Sequence, residues 1–77
     1  MSRKEKLLQR LKNNPYDATF ADIQKMLEDE GFQLDRVSGS HHVFKRDEVI
    51  FVVPVHKNRV KSVYVKRAIA IIEDLQK

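Results

Sequence analysis

Residues 32–54 read FQLDRVSGSHHVFKRDEVIFVVP, and this stretch decides the fold. It contains short segments of strand-like composition, separated by turn residues. The segments are residues 32–37, residues 42–45 and residues 49–53. Because the turns between them are short, we expect a three-stranded antiparallel meander. The last segment is a β-branched and aromatic run, typical of a buried strand, and Pro54 ends it because proline has no backbone donor.

Side chains of the first segment alternate along the chain. This alternation predicts that Phe32, Leu34 and Arg36 lie on one face of the sheet. The following Ser38-Gly39-Ser40 predicts a tight turn.

Helical periodicity flanks the meander on both sides. Residues 3–12 predict a short amphipathic helix, and a second helix is expected to begin after an N-cap at Thr19 and to end at Gly31. Ser62 is a candidate cap for a final helix over residues 63–76. The fold class is therefore α+β, with helices covering one face of the sheet and the other face open.

Composition excludes several classes of protein and site. The chain has 77 residues, enough for a single domain over residues 1–77, and it has no cysteine for disulfides or thiolate metal sites. No apolar run approaches the roughly 18 residues of a spanning helix, and the charged start leads into no apolar signal core. We therefore expect a cytoplasmic location and no membrane contact. The formal charge of +4 mildly favours a polyanionic partner, although an ordinary basic surface explains it equally well.

The chain's three histidines are the candidates for chemistry, and two of them directly follow the Gly-Ser turn. A loop that enters a rigid sheet fixes the direction of the next side chain. If His41 and His42 both lie on a strand, they point to opposite faces, so at most one faces the open side. No spacing signature supports a metal site built from either of them and His56, and no cofactor is expected.

General acid–base chemistry on RNA suits an exposed histidine. Imidazole has a pKa of about 6.5, so both of its protonation states are available near neutral pH. RNA supplies its own nucleophile, the 2′-hydroxyl, so a protein needs only a proton carrier and cations that hold the phosphate. The available cations are Lys45, Arg46, Lys57, Arg59 and Lys61. Considered alone, however, a histidine in a small domain is more often structural, and the basic loop of residues 55–61 is more often simply solvated.

Taken together, four features of the chain resemble one known family. They are Gly31-Phe32 closing a helix, the run Gly39-Ser40-His41-His42-Val43-Phe44 opening a strand, Pro54-Val55-His56 ending the next strand, and a final basic-apolar helix. Over about residues 20–75 the chain resembles the HicA family, the small ribonuclease toxins of bacterial type II toxin–antitoxin pairs. One departure is the loop after His56, which is rich in glycine or proline in many relatives and reads KNRVKS here.

The resemblance implies a fold like a double-stranded-RNA-binding domain, α-β-β-β-α, to which residues 1–14 add an N-terminal helix. It implies an mRNA interferase that a HicB-type antitoxin binds and masks. The catalytic histidine of the family carries over to His41, with His42 as the fallback. The residues expected to contact RNA are Gly39, Ser40, Lys45, Arg46, His56, Lys57, Arg59 and Lys61.

Two alternative functions remain open at this point. The first is a non-catalytic RNA-binding module of the same fold, which needs basic loops but no histidine. The second is a protein-interaction domain that directs its positive charge at an acidic partner. In each case we expect a monomer in the absence of a partner, because no heptad pattern or large apolar helix face demands self-association.

Overall fold

The computed structural model describes residues 3–76, with side chains from Glu5 onward. Its elements are α1 (Arg3–Asn13), a 3₁₀ turn (Pro15–Asp17), α2 (Phe20–Asp29), β1 (Gln33–Ser38), β2 (His41–Arg46), β3 (Val49–Pro54) and α3 (Ser62–Leu75). The strands form one antiparallel sheet in the order β1-β2-β3. The predicted α+β class and the α-β-β-β-α arrangement are confirmed, with α1 added in front.

The hydrophobic core lies between the helices and one face of the sheet. Phe44, Phe51 and Val53 point into it from the strands, and each is at least nine-tenths buried. The helices contribute most of the other buried side chains: Leu11, Ile23, Met26, Leu27, Val65, Ala68, Ile69 and Ile72. No polar or charged side chain is buried among the described residues, so the interior is apolar and its burial is the main stabilising term.

Helix α2 has well-defined ends. The Thr19 hydroxyl accepts the backbone N–H of Asp22 at 3.2 Å, and the Asp22 carboxylate accepts the N–H of Thr19, which completes a capping box. Gly31 has a φ of +92°, the left-handed angle expected just past a helix. Phe32 folds back onto α2, as expected from its place after Gly31, and its N–H donates to the Leu27 carbonyl. The first strand was expected to begin at Phe32, but β1 begins at Gln33.

Two further expectations for the helices and strands are wrong. Ser62 is the first residue of α3 rather than its cap; Lys61 is the N-cap and makes no side-chain cap bond. Arg36 does not share a face with Leu34, because the pairing of β1 with β2 shifts between these residues at a β-bulge. The extra residue, Asp35, moves Arg36 to the opposite face of the sheet.

Helix α1 packs against α2 and α3 on the side away from the sheet. Leu11 anchors it in the core at 1% exposure. Ion pairs flank this anchor, from Arg10 to Asp22 at 2.8 Å and from Lys12 to Glu73 at 2.7 Å. Surface pairs contribute about 0–1 kcal/mol each, so burial of the leucine is the larger stabilising term. No helix among residues 3–76 is long and apolar enough to cross a membrane.

Candidate functional site

A two-residue turn joins β1 to β2 and positions the histidine pair. Ser38 and His41 oppose each other across the ladder, with Gly39 and Ser40 between them. Only Gly39 of these two has a positive φ, +59°, the pattern of a type II′ hairpin turn. A Cβ at Gly39 would meet no atom within 4 Å, so the backbone angle, and not lack of space, favours glycine here.

The carbonyl of Ser40 ties this turn to the end of β3. It accepts the backbone N–H of Val55 at 2.8 Å and Nδ1 of His42 at 3.2 Å. Because a carbonyl oxygen can only accept, His42 carries a proton on Nδ1. Pairs in an antiparallel ladder alternate between hydrogen-bonded and non-hydrogen-bonded. Because Val55 donates to Ser40, the next pair, His41 and Pro54, is non-hydrogen-bonded, and its side chains lie close together. At such a position the backbone N–H makes no hydrogen bond to the neighbouring strand, so the lack of an N–H in Pro54 removes none.

The adjacent histidines point to opposite faces of the sheet. The ring of His42 lies on the helix-covered side, half-buried, with its centroid 4.4 Å from that of Phe20. His41 is exposed on the other side. Of the two, only His41 lies on the uncovered face. His42 instead has a structural role, because it contacts the Ser40 carbonyl in the turn and the ring of Phe20.

We call the uncovered side of the sheet the open face. Its side chains form three rows that run across the strands: Ser38, His41 and Pro54; then Arg36, Val43 and Val52; then Gln33, Lys45 and Ile50. Ile50 is 60% exposed and Val52 is 38% exposed. The open face therefore combines one histidine and two cations with an apolar strip along β3.

Arg36 is one of the residues that the sequence reasoning missed. The bulge pairs Arg36 with Val43, one row from His41 on the same face. Diagonal neighbours of this kind lie roughly 7–8 Å apart at Cα, which is within reach of an arginine side chain. The available signal was the odd spacing of Leu34 and Val37, since two apolar residues three positions apart share a face only if the strand carries a bulge.

The two cations of β2 that were predicted to contact RNA lie on opposite faces of the sheet. Lys45 is exposed on the open face, four residues from His41, or about 13 Å at the rise of a β-strand. Arg46 points to the helix-covered side, where a Cβ on Gly31 would lie 3.5 Å from its Nε. The structure thus places Lys45 on the same face as His41 and does not place Arg46 there.

The basic loop after β3 contains a tight hairpin. His56 and Arg59 exchange both backbone hydrogen bonds, at 3.0 and 2.8 Å. The tip residues, Lys57 and Asn58, have positive φ angles of 49° and 66°, as a type I′ turn requires. The Asn58 carbonyl accepts the N–H of Phe20 at 2.8 Å, which clamps the hairpin to the start of α2. The predicted cations of this loop are therefore carried on an ordered turn.

Beside this hairpin lies a surface depression of ≈ 640 Å³. Its lining residues are Tyr16, Ala18, His56, Arg59, Val60 and Lys61. Arg59 forms an ion pair with Asp17 at its edge. The depression brings three of the residues predicted to contact RNA, His56, Arg59 and Lys61, together with an aromatic ring that was not predicted.

Residues 3–76 contain no group of three or more histidine and carboxylate side chains that could hold a metal ion. The titratable and charged groups on the open face are the imidazole of His41, the guanidinium of Arg36 and the ammonium of Lys45.

A family model described as the HicA toxin of bacterial toxin–antitoxin systems matches residues 20–75. The chain belongs to the HicA toxin family. The matched range begins at the first residue of α2 and contains the sheet, both histidines of β2 and all of α3. Neither the curated proteins nor the solved structures compared with the chain give a match. Helix α1 and the 3₁₀ turn lie outside the range that the HicA model covers.

Proposed function

We propose that this HicA toxin is an endoribonuclease that cleaves mRNA, with His41 as its general acid or base. The observation that carries the proposal is the placement of His41. Its imidazole is exposed on the open face, directly after a turn that Ser40 ties to Val55. A proton carrier must be accessible to substrate and fixed in direction, and His41 meets both conditions.

The proposed reaction uses a nucleophile that RNA itself carries. The 2′-oxygen attacks the adjacent phosphorus and the bond from phosphorus to the 5′-oxygen breaks, which leaves a 2′,3′-cyclic phosphate and a 5′-hydroxyl. One proton leaves the 2′-hydroxyl and one reaches the departing 5′-oxygen. His41 takes one of these two transfers and solvent the other, because His41 is the one histidine that the three strands present on the open face. Proton transfer of this kind contributes about 10²- to 10⁴-fold to the rate.

Cations on the open face would hold the substrate for this reaction. Arg36, one row from His41, would contact the reacting phosphate and offset the charge that develops on its oxygens. Lys45 lies farther along β2 and would contact a neighbouring phosphate instead. His56, Lys57, Arg59 and Lys61 would extend the contact to the hairpin after β3.

The direct test is cleavage of end-labelled, single-stranded RNA by the full chain in the presence of a chelator. We expect cleavage products that end in a cyclic phosphate. The matched control is the same strand with 2′-O-methyl groups, which should bind and stay intact because it lacks the nucleophile. If RNA binds and no cleavage occurs at any concentration, the chain is an RNA-binding module of this fold and the catalytic proposal is wrong.

We further propose that a HicB-type antitoxin neutralises the toxin by covering the open face. The exposed apolar strip of Ile50 and Val52 supports this, since a protein partner gains affinity by burying such side chains. Covering the strip would also cover His41, which lies one row away. A toxin acting on mRNA would work in the cytoplasm, as a monomer until the antitoxin binds.

The antitoxin proposal is tested by co-expressing the chain with the reading frame next to its gene. We expect the two products to co-purify and RNA cleavage to fall with added antitoxin. Co-purification with undiminished cleavage would show that the partner binds elsewhere.

A further inference from the structure

Tyr16 lies in the 3₁₀ turn before α2, outside the residues that the HicA family model covers. Its ring is 73% exposed, the largest exposed fraction among the large hydrophobic side chains of the described residues. Packing therefore does not account for an aromatic residue at this position. The two preceding residues hold the position itself, because Pro15 is buried and the side-chain oxygen of Asn14 accepts the backbone N–H of Tyr16.

Positive charge surrounds this ring on several sides. Arg59 and Lys61 line the same depression, and the ammonium of Lys66 lies 5.3 Å from the ring centroid. The carboxylate of Asp17, the next residue along the chain, is paired with Arg59. An exposed aromatic ring among cations is the arrangement with which proteins bind single-stranded nucleic acid, stacking a base and contacting its phosphates.

We propose that Tyr16 and the depression beside it bind one nucleotide of single-stranded RNA, as a subsite separate from the reacting phosphate. The base stacks on Tyr16, and the phosphate lies against Arg59 and Lys61. The subsite rests on the proposed function in one respect, namely that RNA is the ligand of this chain. It does not require that His41 be catalytic.

The depression begins a short distance along the chain from the candidate site on the sheet. Pro54 is the cross-strand partner of His41, and His56, which lines the depression, follows two residues later. Two residues of extended chain span about 7 Å, so a strand of RNA passing His41 reaches the depression within a few nucleotides. Val53 and Val55 both pack on the core, which directs Pro54 and His56 to the same side as His41.

A purely structural role for Tyr16 would be to support Lys66 through their cation–π contact. Such contacts are weak at exposed sites, and a stacked base is the stronger partner. The two roles differ in outcome: removing a merely structural ring leaves RNA affinity unchanged.

The test uses the intrinsic fluorescence of tyrosine. The chain has two tyrosines and no tryptophan, so Tyr64→Phe leaves Tyr16 as the single fluorophore. The probe is a 2′-O-methyl RNA oligonucleotide, which the proposed reaction cannot cleave. We expect its binding to quench Tyr16, because a stacked base quenches the ring on which it lies. Affinity is then compared between the wild type, Tyr16→Phe and Tyr16→Ala by anisotropy of the labelled oligonucleotide.

We expect Tyr16→Ala to weaken RNA binding about 5- to 100-fold, as loss of one stacked base does elsewhere, and Tyr16→Phe to change it less than about twofold. Circular dichroism serves as the control for folding, and an exposed side chain should leave it unchanged. Absence of quenching together with wild-type affinity in Tyr16→Ala overturns the subsite, and so does a Tyr16→Ala defect confined to binding of the antitoxin. Quenching by the 2′-O-methyl probe in a chain that binds unmodified RNA without cleaving it would refute the catalytic proposal and leave the subsite intact.

Discussion

Replacing Arg36 by alanine tests whether the bulge in β1 has a function. The bulge moves this guanidinium onto the open face, one row from His41. If Arg36 contacts the reacting phosphate, its loss removes attraction that grows as charge develops in the transition state. The substitution should therefore slow cleavage while leaving the fold unchanged, because Arg36 is exposed and lies on an edge strand.

The size of the effect follows from the geometry. A guanidinium and a phosphate whose charge centres are about 6 Å apart interact by about 0.7 kcal/mol in bulk water and about 2.8 kcal/mol at the effective dielectric of a protein surface. At 1.36 kcal/mol per factor of ten, Arg36→Ala should lower kcat/KM by about 3- to 100-fold. Arg36→Lys should recover part of this loss, because an ammonium keeps the charge without the two-pronged hydrogen bonding.

The assay is single-turnover cleavage of labelled RNA at two salt concentrations. Lys25→Ala is the matched control, because it removes one positive charge from an exposed position on α2 rather than on the open face. A smaller Arg36 effect at higher salt is expected, because ions screen exposed charges. Equal rates for Arg36→Ala and Lys25→Ala would refute the assignment and leave the bulge as a structural feature only.

Three further substitutions test the turn at Gly39, the structural role of His42 and the surface proposed to bind the antitoxin. Gly39→Ala should lower the free energy of unfolding by about 1–2 kcal/mol because of the left-handed φ, and thermal melting should fall by several degrees; an unchanged melting temperature would contradict the turn assignment. His42→Ala should lower the free energy of unfolding by about 1–3 kcal/mol, since it leaves a gap beside Phe20 and removes a donor to Ser40. The folded fraction of this variant should still cleave RNA at nearly the wild-type rate. Ile50→Lys should change stability by less than about 0.5 kcal/mol but weaken antitoxin binding at least tenfold by titration calorimetry, and full affinity would show that the partner binds another surface.

Local rules were sufficient to predict the architecture. A change of period from 3.6 to 2 marks the passage from α2 to the sheet, and Thr19 and Gly31 mark the ends of that helix. The Gly39 turn and the opposite orientations of His41 and His42 also follow from chain geometry alone.

The features that were missed depend on contacts between distant residues. Whether a strand contains a bulge depends on how it pairs with its neighbour. Simple alternation of side chains along β1 therefore predicted the wrong face for Arg36. The hairpin at Lys57 and Asn58 lacks the usual glycine, and its bond to Phe20 helps to hold it. Tyr16 went unnoticed because residues 13–15 indicate only the end of a helix. Arg46, by contrast, could have been placed correctly from its spacing to Phe44.

Cleavage by His41→Ala and His42→Ala at saturating RNA tests the central claim most directly. Saturation removes differences in binding, so the single-turnover rate constant reports the chemical step alone. With both variants shown to be folded, we expect His41→Ala to be at least about 100-fold slower than the wild type and His42→Ala to stay within a few-fold of it. A folded His41→Ala that cleaves at the wild-type rate would contradict the claim that the imidazole on the open face carries the proton.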